Sequence, residues 1–355
     1  MAISQAALDD LTRRGAARGV DPGPGLALVE EHLRTGVMAD LPFLEDASRY
    51  LVDAGGKRFR PLLVLLAGML GGAEPDEPDL VSAGVIVELV HLSTLYHDDV
   101  IDAAEVRRGA PAAHVKWSNT VAILTGDFLL ARASERSAAL GVEVTRLMAR
   151  TIAELCQGQI REVQGSALAV AHHVADPTPA PPAPGREHYL AVIAEKTASL
   201  ISASARLGAM LSHQPPAAVE ALTGYGHALG MAFQLSDDVL DIVGQPEESG
   251  KAPGTDLREG VRTLPVLLAL EHDGPGSELA RLLDEVVEAP DDDGPLDKAL
   301  TLLRGHPTHS LARDAARLEA GRARQALSDF PRTPASAVLL DGLGELADYA
   351  VDRVG

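Results

Sequence analysis

Two aspartate triplets with the same spacing constrain the fold of this chain more than any other feature of its sequence. Both triplets read DDxxD, and their members are Asp98, Asp99 and Asp102 in the first and Asp237, Asp238 and Asp241 in the second. Residues four apart on a helix lie one above the other, so the first and last aspartates of each triplet share a face. Apolar residues surround the second triplet, and the first ends a long helical stretch that begins at Leu80. The sequence therefore predicts two largely apolar helices whose acidic ends face each other.

Carboxylates held this close together repel each other, which is costly unless a cation lies between them. We therefore interpret all six aspartates as candidate metal ligands. Oxygen ligands suit a hard divalent cation, and Mg2+ is the usual one where a substrate brings phosphates. Two solvated helix ends are the plainer alternative, but the same spacing on two apolar helices argues against coincidence. A further acidic run at 291–293 lies in a turn flanked by Pro and Gly and is typical of a solvated surface.

The remainder of the sequence predicts an all-α fold. Helical spacing of apolar residues recurs along the chain, and no stretch shows the sustained period-two alternation, rich in Val, Ile and aromatic residues, that indicates strands. Neither an internal repeat nor a clear linker divides the sequence. We predict a loosely ordered N-terminal segment over residues 1–25 and a single domain over residues 26–355, with a Pro-rich surface loop at about residues 165–186.

Composition argues against several classes of protein. The chain has 355 residues, of which 46% are hydrophobic, and a net charge of -20. Nucleic acids and anionic membrane surfaces both favour Lys and Arg, so this acidity argues against them. The single cysteine, Cys156, excludes an internal disulfide and fits a reducing compartment. The longest strongly apolar run, from Pro61, is too short to span a bilayer. We predict a cytoplasmic protein without a transmembrane segment and leave open a loose association with a membrane.

Cationic residues in loops or beside the acidic triplets stand out in so acidic a chain. They are Lys57, Arg58, Arg60, Arg107, Arg108, Lys196 and Lys251. Arginine forks match phosphate oxygens, and Gly55 and Gly56 allow the backbone to approach a phosphate closely. His91 lies seven residues before Asp98 on the same helix face, although a hydrogen-bonded core histidine is the plainer interpretation. The pattern predicts cations that converge on a polyphosphate from several parts of the chain.

Five motifs, in this order, resemble those of the trans-prenyl diphosphate synthases. They are GGKRFRP (55–61), HDDVIDAAEVRRG (97–109), KT (196–197), FQLSDDVLD (233–241) and a downstream GK with TDLREG (250–260). The resemblance extends from about residue 26 to the end of the chain. It implies an isoprenoid-synthase helical bundle around a deep central cavity, and a homodimer. It also implies Mg2+-dependent condensation of isopentenyl diphosphate with an allylic diphosphate, both being substrates of the enzyme.

The same resemblance implies roles for single residues. About three Mg2+ ions are held by Asp98, Asp102 and Asp237, supported by Asp99, Asp238 and Asp241. The allylic diphosphate is held by Arg107, Lys196 and Lys251, and the isopentenyl diphosphate by Lys57, Arg60, His91 and Arg108. Thr197 and Gln234 shield the allylic cation. Because the leaving diphosphate must be stabilised by metal ions and fixed cations, the predicted catalytic residues are Asp98, Asp102, Lys196 and Asp237.

The sequence departs from the family pattern at two places. After Asp256 the family usually has a lysine where this chain has Val261, so one phosphate contact is missing or is taken over by Arg262. Ala103 and Ala104 stand where acidic residues often follow the first triplet. Neither change affects the aspartates themselves, and we still expect activity.

Product length is predicted from the residues below Asp98 on its helix. One turn below lie Ser93 and Thr94, followed by Val90 and Val87. In the family, aromatic side chains at the first level stop chain growth early, whereas these side chains are small and leave a tunnel open. Each turn is about 5.4 Å deep, comparable to one isoprene unit. We expect a product of roughly thirty-five carbons or more, such as a quinone side chain, with geranylgeranyl diphosphate as the alternative.

Two other classes of function are consistent with parts of this pattern. A terpene cyclase also uses an aspartate-rich helix, but it needs no second diphosphate site, and Lys57, Arg60 and Arg108 therefore argue against it. A non-catalytic subunit of a heteromeric synthase is expected to lose acidic residues, and this chain keeps all six.

Overall fold

Helices make up almost all of the structure, a computed structural model that describes residues 5–165, 185–244 and 253–352. The helices of the first segment are α1 (Gln5–Ala16), α2 (Gly23–Gly36), α3 (Pro42–Asp53), α4 (Phe59–Leu70), α5 (Pro78–Ile101), α6 (Ala113–Lys116), α7 (Asn119–Ala139) and α8 (Val142–Gly165). The second segment contains α9 (Arg186–Ile193), a π-helical turn (Ala194–Ala198), α10 (Ser199–Leu211) and α11 (Pro216–Val243). The third contains α12 (Thr255–Arg258), α13 (Leu264–Asp273), α14 (Glu278–Glu288), α15 (Asp293–Gly305), α16 (His309–Ala326) and α17 (Pro334–Val351).

The only strands in the described segments are two short ones that follow α5. They are β1 (Val106–Arg107) and β2 (Ala110–Pro111), which pair antiparallel. The all-α prediction is therefore confirmed. Residues 166–184, nearly all of the predicted Pro-rich loop, lie outside the described residues, as does Lys251.

The described part of the N-terminal segment contains α1 and the start of α2, and the loose order of residues 1–25 stays a prediction. Arg14 of α1 forms ion pairs with Asp10 at 2.7 Å and with Glu345 of α17 at 2.6 Å. Composition could not reveal this docking, since Glu345 lies at the other end of the chain. The division into a terminal segment and a single domain otherwise stays a prediction.

Helix α5 runs through the core and carries the first acidic triplet to its end. Proline at its first position costs no helical hydrogen bond, because that N–H would have no partner in the helix. With 24 residues, α5 is long and apolar enough to cross a membrane by length and composition alone. The sequence-based expectation of no transmembrane segment considered only the shorter apolar run from Pro61. Because 78% of its most apolar window is buried inside the fold, α5 has the environment of a core helix.

Three apolar clusters hold the helices in place. The largest joins α4, α10 and α11, and a second surrounds α5 with α7 and α8. Helices α4 and α10 cross so closely that a Cβ at Gly208 would lie 2.2 Å from the carbonyl oxygen of Val64. The third and smallest cluster packs α12, α13, α14 and α15 against the end of α11. We call it the C-terminal cluster, and it supports one wall of the site described below.

Both acidic triplets lie at the C-terminal ends of their helices. Asp98 and Asp99 belong to the last turn of α5, and Asp237 lies two turns before the end of α11. Backbone carbonyl groups make the C-terminal end of a helix partly negative, so carboxylates there are electrostatically unfavourable. This end of the fold is therefore one at which bound cations are stabilised.

Candidate active site

A cavity of about 830 Å³ opens between the ends of α5 and α11. It is the place where the predicted motifs meet, although they are far apart in sequence. Of the residues predicted for the site, those that line it are Asp98, Asp102, Arg107, Lys196, Thr197, Gln234, Asp237 and Asp238. The cavity therefore combines carboxylates from both triplets with fixed cations, as a site for metal ions and a diphosphate requires.

The first triplet divides into two aspartates that face the cavity and one that faces the core. Asp98 and Asp102 line the cavity, as their spacing predicts. Asp99 is fully buried and accepts a hydrogen bond of 2.6 Å from Nε of Arg107. Burial raises the pKa of Asp98 to about 6, an effect that Lys196 opposes and Asp102 reinforces. A metal ion bound beside Asp98 would favour the charged form of its carboxylate.

In the second triplet, Asp237 and Asp238 line the cavity while Asp241 fixes the adjacent chain. The two carboxylate oxygens of Asp241 accept backbone N–H bonds from Thr255 at 3.2 Å and Asp256 at 3.3 Å. These N–H groups belong to the first turn of α12, where a carboxylate is favourable. Asp241 therefore positions the chain that follows the GK motif.

Asp238 is buried in a network of hydrogen bonds. Its carboxylate accepts bonds from the hydroxyl of Tyr189 and, at 2.9 Å, from Nε2 of Gln234. Burial raises the pKa of Asp238 to about 7; the two hydrogen bonds oppose this shift, and the neighbouring Asp237 and Asp241 reinforce it. Tyr189 was not predicted from the sequence, because a tyrosine on an apolar helix face usually indicates core packing.

Lys196 and Thr197 lie on the π-helical turn between α9 and α10. Lys196 forms an ion pair with Glu162 of α8. Burial lowers the pKa of Lys196, but the charges of Glu162 and Asp98 outweigh it, so the net shift is upward. Thr197 donates a hydrogen bond of 2.9 Å to Gln234. Glu162 lies in an ordinary helical run and could not be singled out from the sequence. Nor could the π-helical turn, a feature frequent at functional sites.

A second cluster of cations surrounds the loop that contains Gly55 and Gly56. Arg108 donates hydrogen bonds to the carbonyl oxygens of Leu51, at 2.8 Å, and of Gly55. Gly56 has a φ of +155°, and a Cβ there would lie 2.9 Å from a terminal nitrogen of Arg108. The φ, rather than the contact with a flexible side chain, explains why glycine is favoured here. The predicted residue Lys57 lies on the same loop and is half-buried.

The charges of this cluster are only partly neutralised. Arg58 forms ion pairs with Glu30 and Glu88, and these pairs have a structural role. By contrast, Nε of Arg60 and Nε2 of His91 are buried without a hydrogen-bond partner in the described chain. Burial, with Arg108 adding to it, lowers the pKa of Arg60 to about 10. A bound anion would supply the missing partners, which is the property expected of a second diphosphate site.

Three of the four predicted chain-length residues are packed into the core, and the fourth, Thr94, is half-buried. Val87, Val90 and Ser93 are fully buried, and Thr94 donates a hydrogen bond of 2.8 Å to the carbonyl oxygen of His91. None of the four is among the described residues that line the cavity. A tunnel along them therefore requires these side chains to move, and their role stays a prediction.

Val261 and Arg262 both line the cavity, on the loop between α12 and α13. Arg262 is 3.5 Å from Asp284, an exposed residue of α14, so it has only a weak surface ion pair. The structure thus brings a cation to the position next to the valine that replaces the usual lysine.

Comparison with known proteins identifies the family of this chain. The sequence pattern of the Polyprenyl synthetase family matches residues 41–303. The nonaprenyl diphosphate synthase of Mycobacterium tuberculosis is 44% identical over 331 residues, 93% of each chain. The heptaprenyl diphosphate synthase component 2 of Geobacillus stearothermophilus is 39% identical over 82% of this chain and 93% of its own length. The chain belongs to the polyprenyl synthetase family.

A solved structure supports the same assignment. The polyprenyl synthase of Caulobacter crescentus CB15, complexed with calcium and isoprenyl diphosphate, has a TM-score of 0.83 at 32% identity and covers 100% of this chain and 99% of its own. The predicted isoprenoid-synthase bundle and the predicted enzyme class, a prenyltransferase, are thereby confirmed. Calcium in that relative is consistent with a divalent cation among oxygen ligands, and the aspartates lining the cavity here offer such a donor set.

Proposed function

We propose that this protein condenses isopentenyl diphosphate with an allylic diphosphate, with Mg2+, to make a long-chain trans-polyprenyl diphosphate. The observation that carries the proposal is a single cavity lined by Asp98 and Asp102 from α5, Asp237 from α11, and Lys196 between them. Two acidic helix ends and a lysine around one space suit a diphosphate that leaves with metal ions bound to it.

In the proposed mechanism, Asp98, Asp102 and Asp237 would hold the Mg2+ ions, about three per site, and the bound ions would supply Lewis-acid stabilisation of the leaving diphosphate. Lys196, anchored by Glu162, adds fixed positive charge at the same place. Arg107 is oriented by its bond to Asp99. Each anchor fixes a cation before the reaction, so little reorganisation is needed when charge develops.

Thr197 and Gln234 have a different role, since both are uncharged and lie on the cavity wall. Their mutual hydrogen bond fixes their dipoles beside the allylic carbons, where they shield the cation. The proton lost from isopentenyl diphosphate after the new bond forms is accepted by the released diphosphate.

Lys251 and Arg262 are proposed as further cations for the allylic diphosphate. Lys251 lies outside the described residues, but Asp241 fixes the chain directly after it by binding Thr255 and Asp256. Arg262 lines the cavity beside Val261 and can supply the phosphate contact that this valine cannot make.

The second substrate, isopentenyl diphosphate, is proposed to bind at Lys57, Arg60, His91 and Arg108. Two of these residues have buried nitrogen atoms without partners in the described chain. A terpene cyclase has no use for a second anion site, so this cluster favours a condensation reaction over a cyclisation.

The product is proposed to have a long chain, because the residues below Asp98 are small. Ser93, Thr94, Val90 and Val87 would open along α5 as the chain grows. The relative named nonaprenyl diphosphate synthase supports this length over geranylgeranyl diphosphate.

We further propose that the enzyme acts as a cytoplasmic homodimer, with loose membrane association for release of its apolar product. The relative named component 2 of a heptaprenyl synthase raises a heteromeric alternative. All six aspartates are retained, which favours a chain that is catalytic by itself.

The proposal is tested by elongation assays on the purified protein with Mg2+ and labelled isopentenyl diphosphate, using allylic primers of increasing length. We expect products of roughly thirty-five carbons or more. Asp98→Asn and Asp237→Asn should each reduce turnover by about a thousandfold, because each removes a metal ligand. Asp291→Asn, the same change at an exposed turn, is the matched control and should leave turnover unchanged.

Other outcomes of this assay would contradict the proposal. Diphosphate release from the primer alone would indicate a cyclase. Elongation that appears only after addition of a partner subunit would indicate a heteromeric enzyme. Products that stop at geranylgeranyl diphosphate would retain the reaction and contradict the chain length.

A further inference from the structure

Three side chains that commonly bind metal ions meet outside the active site. His272 and Asp273 end α13, and His306 directly follows α15, 33 residues after Asp273. One carboxylate oxygen, Oδ1 of Asp273, lies 2.8 Å from Nδ1 of His272 and 3.2 Å from Nε2 of His306. The potential ligand atoms of all three residues lie within 4.8 Å of one another. The active-site cavity does not include any of them among its described lining residues.

These separations match the edges of a metal coordination shell. Zinc binds imidazole nitrogen and carboxylate oxygen at about 2.0–2.2 Å, so neighbouring ligands of a tetrahedral ion lie roughly 3.3 Å apart. The separation of 3.2 Å between His306 and Asp273 matches that value, and the separation of 2.8 Å between His272 and Asp273 is shorter. The His272 side chain is 57% exposed, so its ring has room to adjust to an ion.

One ligand is already held in a fixed orientation. The His306 side chain is only 9% exposed, and its Nδ1 lies 2.7 Å from Oγ1 of Thr308. The rings of His272 and His306 meet edge to face with centroids 5.2 Å apart. The backbone N–H of Thr308 also donates a hydrogen bond of 3.3 Å to Nδ1 of His306, so Thr308 holds the ring with its Nε2 towards Asp273.

We propose that His272, Asp273 and His306 form a site for Zn2+, separate from the Mg2+ site. Two imidazoles and one carboxylate suit zinc, whereas Mg2+ prefers oxygen ligands alone. With three protein ligands and an exposed approach, the fourth position is open to water.

Bound zinc would join α13 to the turn between α15 and α16. Both elements belong to or adjoin the C-terminal cluster, which packs against the end of the acidic helix α11. The ion would therefore stabilise the part of the fold that carries Asp256, Val261 and Arg262 into the active-site wall. Its expected effect is on stability, because no ligand of the site touches the cavity in the described residues.

The test is zinc binding by chelator-treated protein, followed by calorimetry and by the melting temperature. We expect one tightly bound ion and a rise in Tm of about 3 °C or more with a slight excess of Zn2+. His272→Ala and Asp273→Asn should each abolish the zinc binding and the rise in Tm. Neither side chain is in the core. Co2+ in place of zinc should give the visible absorption of a tetrahedral site, which a merely structural histidine pair would not produce.

Two controls separate this site from the active site. Asp98→Asn combined with Asp237→Asn removes active-site ligands and should leave the zinc-dependent rise in Tm intact. His227→Ala removes an exposed histidine of α11 and should also have no effect. If His272→Ala retains the full rise in Tm and the Co2+ absorption, or if the Asp98/Asp237 variant loses them, the proposal is wrong.

Discussion

At the scale of single residues, His91 has the most unusual electrostatic environment of the predicted site residues. Its imidazole is buried, and the charges that act on it come from Arg60, Arg108, Arg107 and Arg58, in decreasing order. Burial first, and these four cations next, lower the pKa of His91 well below its usual value of about 6.5. The ring is therefore neutral at physiological pH, and it can donate one hydrogen bond to a diphosphate.

This shift predicts a dependence of stability on pH. A histidine whose pKa is lower in the folded state contributes stability above pH 6.5, and that contribution is lost as the pH falls from about 6.5 towards the folded pKa. We expect the free energy of unfolding, measured with urea between pH 8 and pH 5, to fall more steeply in the wild type than in His91→Gln. The expected difference at pH 5 is about 1–2 kcal/mol. Parallel pH profiles for the two proteins would contradict this assignment.

The DDxxD spacing predicted that Asp98 and Asp102 face the cavity together, but in the second triplet Asp238 rather than Asp241 lines the cavity beside Asp237. The sequence could not assign every aspartate a partner, because the partners come from tertiary structure. Asp99 binds Arg107 after the chain reverses direction past Ala103, whose φ is 51°. Asp241 binds the backbone of α12, a contact that depends on the path of the loop before it.

At the scale of secondary structure elements, the π-helical turn depends on glycines in the two helices that pack against it. A Cβ at Gly158 of α8 would lie 2.6 Å from the backbone nitrogen of Lys196, and one at Gly230 of α11 would lie 2.6 Å from Cα of Ala198. The turn that carries Lys196 and Thr197 thus fits only between two helices that lack side chains at these points. Both glycines lie within helices and give no sequence signal, so this support was not predicted.

Gly158→Ala should therefore displace Lys196 and reduce catalysis. We expect kcat/KM for the allylic diphosphate to fall about tenfold to a hundredfold, since small displacements of a positioning group have effects of this size. The free energy of unfolding should fall by about 1–3 kcal/mol from overpacking. Steady-state kinetics and urea unfolding measure the two effects.

The matched control for this change is Gly224→Ala in α11, where a Cβ would meet no atom within 4 Å. It should leave kinetics unchanged and slightly stabilise the helix, because alanine is favoured over glycine. If Gly158→Ala behaves like the control, the tight contact with the π-helical turn has no role in positioning Lys196.

At the scale of the whole molecule, the region around α3 and α7 carries several large apolar side chains that are exposed. Helix α7 packs beside α3, and the exposed large apolar side chains of this region are Met38, Leu41, Phe43, Val115, Ile123 and Leu124. Phe43 contacts Trp117 edge to face, and Arg132 of α7 binds the carbonyl oxygen of Met38, so the chain at Met38 and Phe43 lies against α7 and the segment before it. Large exposed apolar patches usually mark protein–protein interfaces.

We expect this surface to be the interface of the proposed homodimer. Leu124, with 58% of its surface exposed, should then be buried in the dimer, and Leu124→Glu should place a charge in an apolar interface. Losses of about 2 kcal/mol or more are typical of central interface residues, so dissociation should become at least about thirtyfold easier. Sedimentation equilibrium over a range of protein concentrations measures this shift towards monomer.

Leu318→Glu is the matched control, because Leu318 is equally exposed, at 58%, but lies on α16 rather than on α3 or α7. It should leave the dimer intact. A dimer that survives Leu124→Glu and dissociates with Leu318→Glu would place the interface on the α16 face instead. A variant that is monomeric yet still folded would show whether one subunit forms a complete active site. We expect that it does, because one chain by itself forms the cavity between α5 and α11. Retained elongation activity in that monomer would separate the dimer from catalysis, and its loss would show that the helices at the interface must be held in place for α5 to position its aspartates.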